Sequence, residues 1–316
     1  MSNLRPVWID TDTGVDDAFA LVSSFQLSGI EVVGISAVCG NVEIEKTFRN
    51  ARNVVSLCGK ENVPVYKGAE KPLIVPLSPA YNVHGEDGLG GVIIPESKAP
   101  IEKENAVDAL YKKAKELNGE LTIAAVGPLT NIAIALYKYP DFPKYIKEIV
   151  IMGGSIAAGG NCSTSAEFNI YGDPHAAQTV MKSGMSITLF PLDVTLKALL
   201  SREEIDTLKK EDDAVGQFCY KSSEAPMSLF RNLGLGDYMC LHDTCPIAYL
   251  SHPELFSGKK CSVYVETQSK LSIGRTVSDC FAHSEYLFKN KNCTVMLNVD
   301  RDKLAKIVLD SFKAYV

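Results

Sequence analysis

The stretch Val7-Trp8-Ile9-Asp10-Thr11-Asp12-Thr13-Gly14-Val15-Asp16-Asp17-Ala18 decides how the rest of the chain is read. It opens on three apolar, β-prone residues, and over 18–26 the apolar residues fall at helical spacing, so it is a strand-to-helix junction with a turn at Gly14. Capping and the helix dipole account for Asp16 and Asp17. They do not account for Asp10 and Asp12, which alternate on the strand side and fall near the carboxyl edge of a sheet. Acids crowded this closely repel one another unless positive charge sits among them. A hard divalent cation with oxygen ligands, Ca²⁺ or Mg²⁺, resolves the crowding, and crowded carboxylates at strand ends mark sites.

Outward from this junction, strands and helices alternate. An apolar run over 30–38 ends in Cys39-Gly40-Asn41, which places Asn41 at the same carboxyl edge. A helix follows over 43–57 and a short strand over 63–66. Beyond a Pro- and Gly-rich stretch the alternation resumes: helix 105–117, strand 121–126 stopped by Gly127-Pro128, helix 130–137, strand 147–152 stopped by Gly153-Gly154, and strand 185–189 ahead of Pro191-Leu192-Asp193. This pattern predicts right-handed βαβ units in one α/β domain over 1–316. Its core is a Rossmann-like, largely parallel sheet flanked by helices, with the site at the carboxyl edge of the strands. Neither repeats nor a linker interrupt it.

Several loops carry candidate residues. Prolines at 72, 76 and 79 precede His84-Gly85-Glu86-Asp87-Gly88-Leu89-Gly90-Gly91, a long aperiodic stretch of the functional kind in which glycines let His84 move as a lid. Pro128 forces extended geometry on Gly127, leaving the Val126 carbonyl at a strand end, unpaired by the following helix, where it is a natural cation ligand though water would satisfy it equally well. After the strand over 147–152, Asn161, Glu167 and Asn169 form a polar cluster suited to reading sugar hydroxyls, and Asp173-Pro174 opens a helix. The segment 201–230 reads as mainly polar helix, its acids at 203, 204, 206 and 211–213 as a solvated face. His242-Asp243 is a second acid-bearing junction, at the head of an apolar helix. Strands near 261–265 and 293–297 and a helix over 301–315 complete the fold without suggesting chemistry.

Composition excludes several classes. With 46% hydrophobic and 22% charged residues among 316, the chain reads as a soluble globular protein with ample core. A net charge of -6 argues against a nucleic-acid binder, and no apolar run approaches a membrane span. The nine cysteines are spaced singly, without zinc spacing or a secretory signal, which implies free thiols in a reducing, cytoplasmic setting. There the sequons at Asn161 and Asn292 go unused.

Taken together, the Asp-x-Asp-x-Gly-x-Asp-Asp run, Gly40-Asn41, the glycine-rich loop at 84–91, Gly-Pro-Leu-Thr-Asn at 127–131, Met-Gly-Gly at 152–154, Ala-Glu-Phe-Asn at 166–169 and His242-Asp243 resemble the inosine-uridine-preferring nucleoside hydrolases, in that family's order and over most of the chain. The resemblance implies a Ca²⁺ held by Asp12, Asp17, the carbonyl of Val126 and Asp243. It puts Asp16, Asn41, Met152, Asn161, Glu167 and Asn169 on the ribose, gives Asp10 a supporting role, and suggests a homodimer or homotetramer. Thr13 stands where the family usually has Pro, a change that removes no ligand.

The chemistry agrees with the resemblance. Hydrolysis of an N-glycosidic bond needs a nucleophilic water, relief of positive charge on an oxocarbenium-like ribose, and a route for the base to leave. A cation-bound water is more acidic than bulk water, and Asp12, touching both, is placed to take its proton. His242 is the candidate acid for the departing base, with His84, Phe168, Tyr238 and Arg231 around the base. The single tryptophan, Trp8, reads as core, so no tryptophan clamp for purines is expected and uridine and inosine should outrank adenosine. Two rival readings are a haloacid-dehalogenase-like phosphatase with Asp10 as nucleophile, and a non-catalytic calcium- or nucleoside-binding homologue.

Overall fold

The computed structural model describes residues 4–209, 213–281 and 290–315. Strand β1 (Arg5–Thr11) turns at Gly14 directly into helix α1 (Val15–Ser24). The helix starts earlier than its apolar spacing suggests because Asp17 reaches back to accept the Gly14 N–H at 2.9 Å, which puts Asp16 and Asp17 in the first turn. Strand β2 (Ile30–Ala37), helix α2 (Ile44–Leu57) and strand β3 (Val65–Lys67) follow. The long connection beyond them holds one short helix, α3 (Tyr81–His84). Helix α4 (Ala106–Glu116) is capped by Asn105, and strand β4 (Leu121–Ala125), helix α5 (Thr130–Lys138) and strand β5 (Ile146–Met152) repeat the βα rhythm.

Helix α6 (Phe168–Gly172) leads into α7 (Pro174–Met181), which has Asp173 as cap and Pro174 at its first position, where a missing N–H costs nothing. After strand β6 (Ile187–Phe190) and helix α8 (Leu192–Thr195) come β7 (Leu199–Ser201), α9 (Arg202–Asp206), α10 (Ala214–Ser222), α11 (Glu224–Asn232), β8 (Tyr238–Cys240) and α12 (Thr244–Ser251). The chain closes with β9 (Phe256–Cys261), β10 (Val263–Val265), β11 (Thr276–Ser278), β12 (Cys293–Val299) and α13 (Arg301–Phe312).

Among the described residues, eight strands form the central sheet in the order β3-β2-β1-β4-β5-β6-β12-β9. All neighbours pair in parallel except β9, which runs antiparallel to β12. The predicted α/β architecture is therefore present. The chain leaves β1 towards β2 on one side and returns to β4 on the other, so a crevice opens between the carboxyl ends of β1 and β4, where doubly wound sheets bind ligands.

Two apolar layers cover the sheet. Val7, Ile9, Ala124, Val150 and Met152 face a core shared with α1, α2, α12 and α13, while Trp8, Ile123, Ala125, Ile149 and Ile151 face one shared with α4, α5 and α7. The two-residue period of the strands sorts alternate side chains to opposite faces, and burial on both faces explains the near-continuous apolar runs. Trp8 is core as expected: it stacks on Tyr66 and donates its Nε1–H to Ser36 Oγ at 2.8 Å. Among the described residues, no helix is long and apolar enough to cross a membrane.

The solvated-face reading of the 201–230 acids holds only in part. Glu203 and Asp206 are exposed. Glu204 instead pairs with Arg301, and Asp213 is buried and caps α10 through the Gly216 N–H at 2.7 Å. Residues 211 and 212 lie outside the described residues.

Candidate active site

The acids of the β1–α1 junction meet Asp243, delivered by the turn between β8 and α12, at the carboxyl edge of the sheet. Ligand oxygens of Asp16, Asp17 and Asp243 all lie within 4.8 Å of one another. Asp17 is oriented by three donors: Thr11 Oγ1 at 2.6 Å, the Gly14 N–H at 2.9 Å and Asn41 Nδ2 at 2.9 Å. Asp12 is fully buried; its Oδ2 accepts the Asn41 N–H at 2.8 Å, and its Oδ1 has no hydrogen-bond partner. Gly40 and Gly127 make room for this carboxylate. A Cβ on Gly40 would come within 2.0 Å of Oδ2, and one on Gly127 within 2.7 Å of Oδ1.

Burial pushes the carboxyls of Asp12 and Asp243 well up from their ordinary range, and repulsion from neighbouring acids pushes them further. Asp16 and Asp17 are raised as well, again chiefly by burial. No Lys or Arg is among the described residues lining the cleft. His84 lies 4.0 Å from Asp16, but burial lowers its pKa to about 4, so it brings no positive charge at neutral pH. An orphaned, buried carboxylate oxygen beside three converging acids is the donor set of a hard cation, and these residues can hold a metal ion.

Around this floor the structure gathers nearly every residue singled out in the sequence. Asp16, Asn41, His84, Val126, Met152 and Asn161 line one cleft of ≈ 710 Å³ together with Glu167, Phe168, Asn169, His242 and Asp243; Asp12 and Asp17 are themselves fully buried. Glu167 caps α6, accepting the N–H groups of Asn169 at 3.0 Å and Ile170 at 3.3 Å, and also that of Gly154 at 2.8 Å. Burial outweighs these donors and lifts its pKa to about 7. Asn161 is exposed at the rim, where its Oδ1 accepts the Phe168 N–H at 2.9 Å. His242 Nδ1 sits 2.8 Å from Thr195 Oγ1, and burial lowers its pKa. Asp10 lies outside the cleft lining, fully buried between Ser36 and Asn131 Nδ2.

Four expectations need correction. The Val126 carbonyl, unpaired by the following helix as expected, is not left to water or a cation alone, because Asn169 Nδ2 donates to it at 2.9 Å; a second lone pair remains for a cation. His84 is 8% exposed and is no free lid: its Nδ1 accepts the Val15 N–H at 3.1 Å, which ties the long loop to the start of α1. Arg231 does not line the cleft, since Glu224 and Asp237 hold its guanidinium. Tyr238 is also outside the lining. The side away from the acids is instead an apolar wall of Leu196, Pro226, Leu229, Phe230, Leu233 and Leu235. Its signal in the sequence was the run of leucines around Gly234 and Gly236 in an otherwise polar region.

Residues 7–306 match the inosine-uridine preferring nucleoside hydrolase family, and the chain belongs to it. A pyrimidine-specific ribonucleoside hydrolase, RihA, of Escherichia coli O1:K1 is 38% identical over 312 residues, covering 98% of this chain and 99% of that protein. Among solved structures, a plant nucleoside hydrolase, PpNRh1, superposes with a TM-score of 0.92 at 30% identity, over 98% of this chain and 99% of the other. A purine-preferring ribonucleoside hydrolase from Gardnerella vaginalis gives 0.91 at 30% identity, over 98% of both chains. The protein is thus a nucleoside hydrolase, an enzyme that splits ribonucleosides into ribose and free base.

Proposed function

We propose that this enzyme is calcium-dependent and prefers uridine and inosine. The observation that carries the metal reading is the meeting of Asp16, Asp17 and Asp243 within 4.8 Å beside the unpaired Asp12 Oδ1. Asp12, Asp17, Asp243 and the Val126 carbonyl would hold Ca²⁺, which when bound acidifies a water and engages ribose hydroxyls. Oxygen donors of mixed carboxylate and carbonyl type suit Ca²⁺ better than the smaller, more strongly hydrated Mg²⁺.

Asp12 then serves as general base, its Oδ1 being the carboxylate oxygen that no protein donor occupies. Asp16, Asn41, Met152, Asn161, Glu167 and Asn169 hold the ribose, and their carboxylates and amides favour the positively charged transition state over the neutral sugar. His242, steadied by Thr195 and with the Asp16 carboxylate opposing the lowering of its pKa by burial, donates a proton to the departing base, while Phe168 and His84 flank it. The preference for uridine and inosine is supported by the absence of tryptophan from the described cleft lining and by the pyrimidine specificity in the bacterial relative's name. Nine unpaired cysteines fit a reducing cytoplasm, and the family resemblance favours a homodimer or homotetramer. The phosphatase alternative is disfavoured by the family match, and Asp10 Oδ1 is taken up by Ser36 and Asn131.

The test is ribose release from uridine, inosine, cytidine, adenosine and guanosine, with and without a calcium chelator, beside Asp12→Asn. Release that needs calcium and vanishes in the variant supports the reading and ranks the bases. A protein that binds calcium yet releases no ribose would be a non-catalytic homologue.

A further inference from the structure

We propose that Asp193 and Thr276 are positioning residues: they clamp the glycine turn at 153–157 against Glu167 and so align the carboxylate that holds the ribose. The inference rests on the reading of Glu167 as a ribose contact.

Four consecutive backbone N–H groups of this turn go to side-chain acceptors. Gly154 donates to Glu167 Oε2 at 2.8 Å, Ser155 to Thr276 Oγ1 at 2.8 Å, Ile156 to Asp193 Oδ2 at 2.7 Å and Ala157 to Asp193 Oδ1 at 2.8 Å. A turn cannot satisfy such a run internally; the N–H groups of Gly154 and Ser155 are buried and need partners, while those of Ile156 and Ala157 lie towards the surface, and side chains from three elements take over the task of a helix or ladder. Those elements are the cap of α6, strand β11 and helix α8. The Gly154 carbonyl completes the clamp by accepting the Leu192 N–H at 2.9 Å.

Gly154 shows how closely the parts fit. Its φ is +77°, a left-handed conformation that favours glycine, and a Cβ there would lie 2.8 Å from Thr276 Oγ1. The Glu167 carboxylate is held between the amino end of its own helix and this turn, so a turn that relaxes lets the carboxylate turn with it. Asp193 supplies charge-assisted bonds to two neighbouring N–H groups, and Asp193→Asn would set an amide NH₂ against one of them. Thr276 belongs to a C-terminal region whose sequence suggested no chemistry. It is 2% exposed, and its hydroxyl is the acceptor that Ser155 uses.

The experiment is steady-state kinetics of uridine hydrolysis by the full-length, calcium-supplied enzyme, with thermal midpoints recorded for every variant. Thr276→Val keeps the shape but loses the acceptor and is expected to lower kcat/KM about tenfold, mostly through KM, with Thr276→Ser recovering most of the loss. Glu167→Gln is expected to cost more, and the double variant Thr276→Val/Glu167→Gln no more than Glu167→Gln alone, because alignment ceases to matter once the carboxylate is gone. Asp193→Asn, alone and with Glu167→Gln, repeats both arms should Thr276→Val not fold. Wild-type kinetics in both positioning variants, or losses that multiply with that of Glu167→Gln, overturn the proposal. An unaffected Glu167→Gln enzyme sinks the ribose-contact reading itself, and the inference with it.

Discussion

The floor of the cleft is polar, buried and cross-linked by hydrogen bonds, whereas the wall between α11 and β8 is apolar, partly open and stapled by ion pairs behind it. On the floor, Asp12, Asp17 and Asp243 are at most 3% exposed, and Asp17 alone takes three hydrogen bonds. On the wall, Leu233 and Leu235 are 61% and 57% exposed, and the segment is tied down by Arg202 to Glu224 at 2.7 Å, Arg202 to Asp237 at 3.2 Å and Arg231 to Asp237 at 2.5 Å. Exposed ion pairs of this kind contribute about 0–1 kcal/mol each, so the wall is held far more loosely than the floor. The difference teaches that bond cleavage and base choice are built separately: glycosidic chemistry needs a rigid, charged surface, and an adaptable apolar face can suit different bases.

The sharpest way to break this division is at the floor. Asp12→Asn removes the proposed base while leaving the Asn41 N–H an acceptor, and is expected to lower kcat by about 10³-fold or more on every nucleoside. Chelation of the wild type should do the same reversibly. A loss confined to one base would mean that the floor also selects.

His242 stands between the two regions and comes next. His242→Ala is expected to slow uridine and inosine about 10²-fold but to affect a riboside with an activated leaving group, such as 4-nitrophenol, only a few-fold. Equal losses on both would remove its role as leaving-group acid.

Glu167 offers a test through stability. Its pKa rises from 4.5 in the unfolded chain to about 7 in the fold, so the folded state favours the protonated form. The resulting stability is fully present below the unfolded value and is lost as pH climbs through about 7. In chelated protein, Glu167→Gln should therefore flatten part of the decline in thermal midpoint between those values. An unchanged profile would mean that the carboxyl is ionised throughout.

The wall is expected to show the smallest effect and the most selective one. Phe230→Ala should change kcat/KM by about tenfold for some bases and little for others, leaving metal dependence intact. A uniform loss across the five nucleosides would show that the wall serves catalysis in general.

Much of the floor was legible in the sequence because its signals are local. A β-prone run followed by helical spacing places Asp10, Asp12, Asp16 and Asp17 at one strand end, and the Gly stops after β2, β4 and β5 put Asn41, Val126 and Met152 at the same edge. The capping reading of Asp17 and the cation reading both survive, since one carboxylate oxygen takes the Gly14 N–H while the group stays within reach of Asp16 and Asp243. The wall was misread at Arg231 and Tyr238 because position along the chain does not say which side of a short helix (α11) or short strand (β8) turns to a cleft. Arg231 found two acids to pair with, and leucines took the place assigned to it.

By itself, then, the sequence determined the alternation of strands and helices, the edge at which the acids gather and the class of chemistry, because periodicity, turn residues and clustered charge act over a few neighbouring residues. Only the tertiary structure decided that Asn169 takes a lone pair of the Val126 carbonyl, that Ile156 and Ala157 share Asp193, and that the Thr276 hydroxyl on β11 steadies the turn beside Glu167. Those contacts join residues distant in the chain, and they depend on the order and register in which strands enter the sheet, which no local pattern encodes.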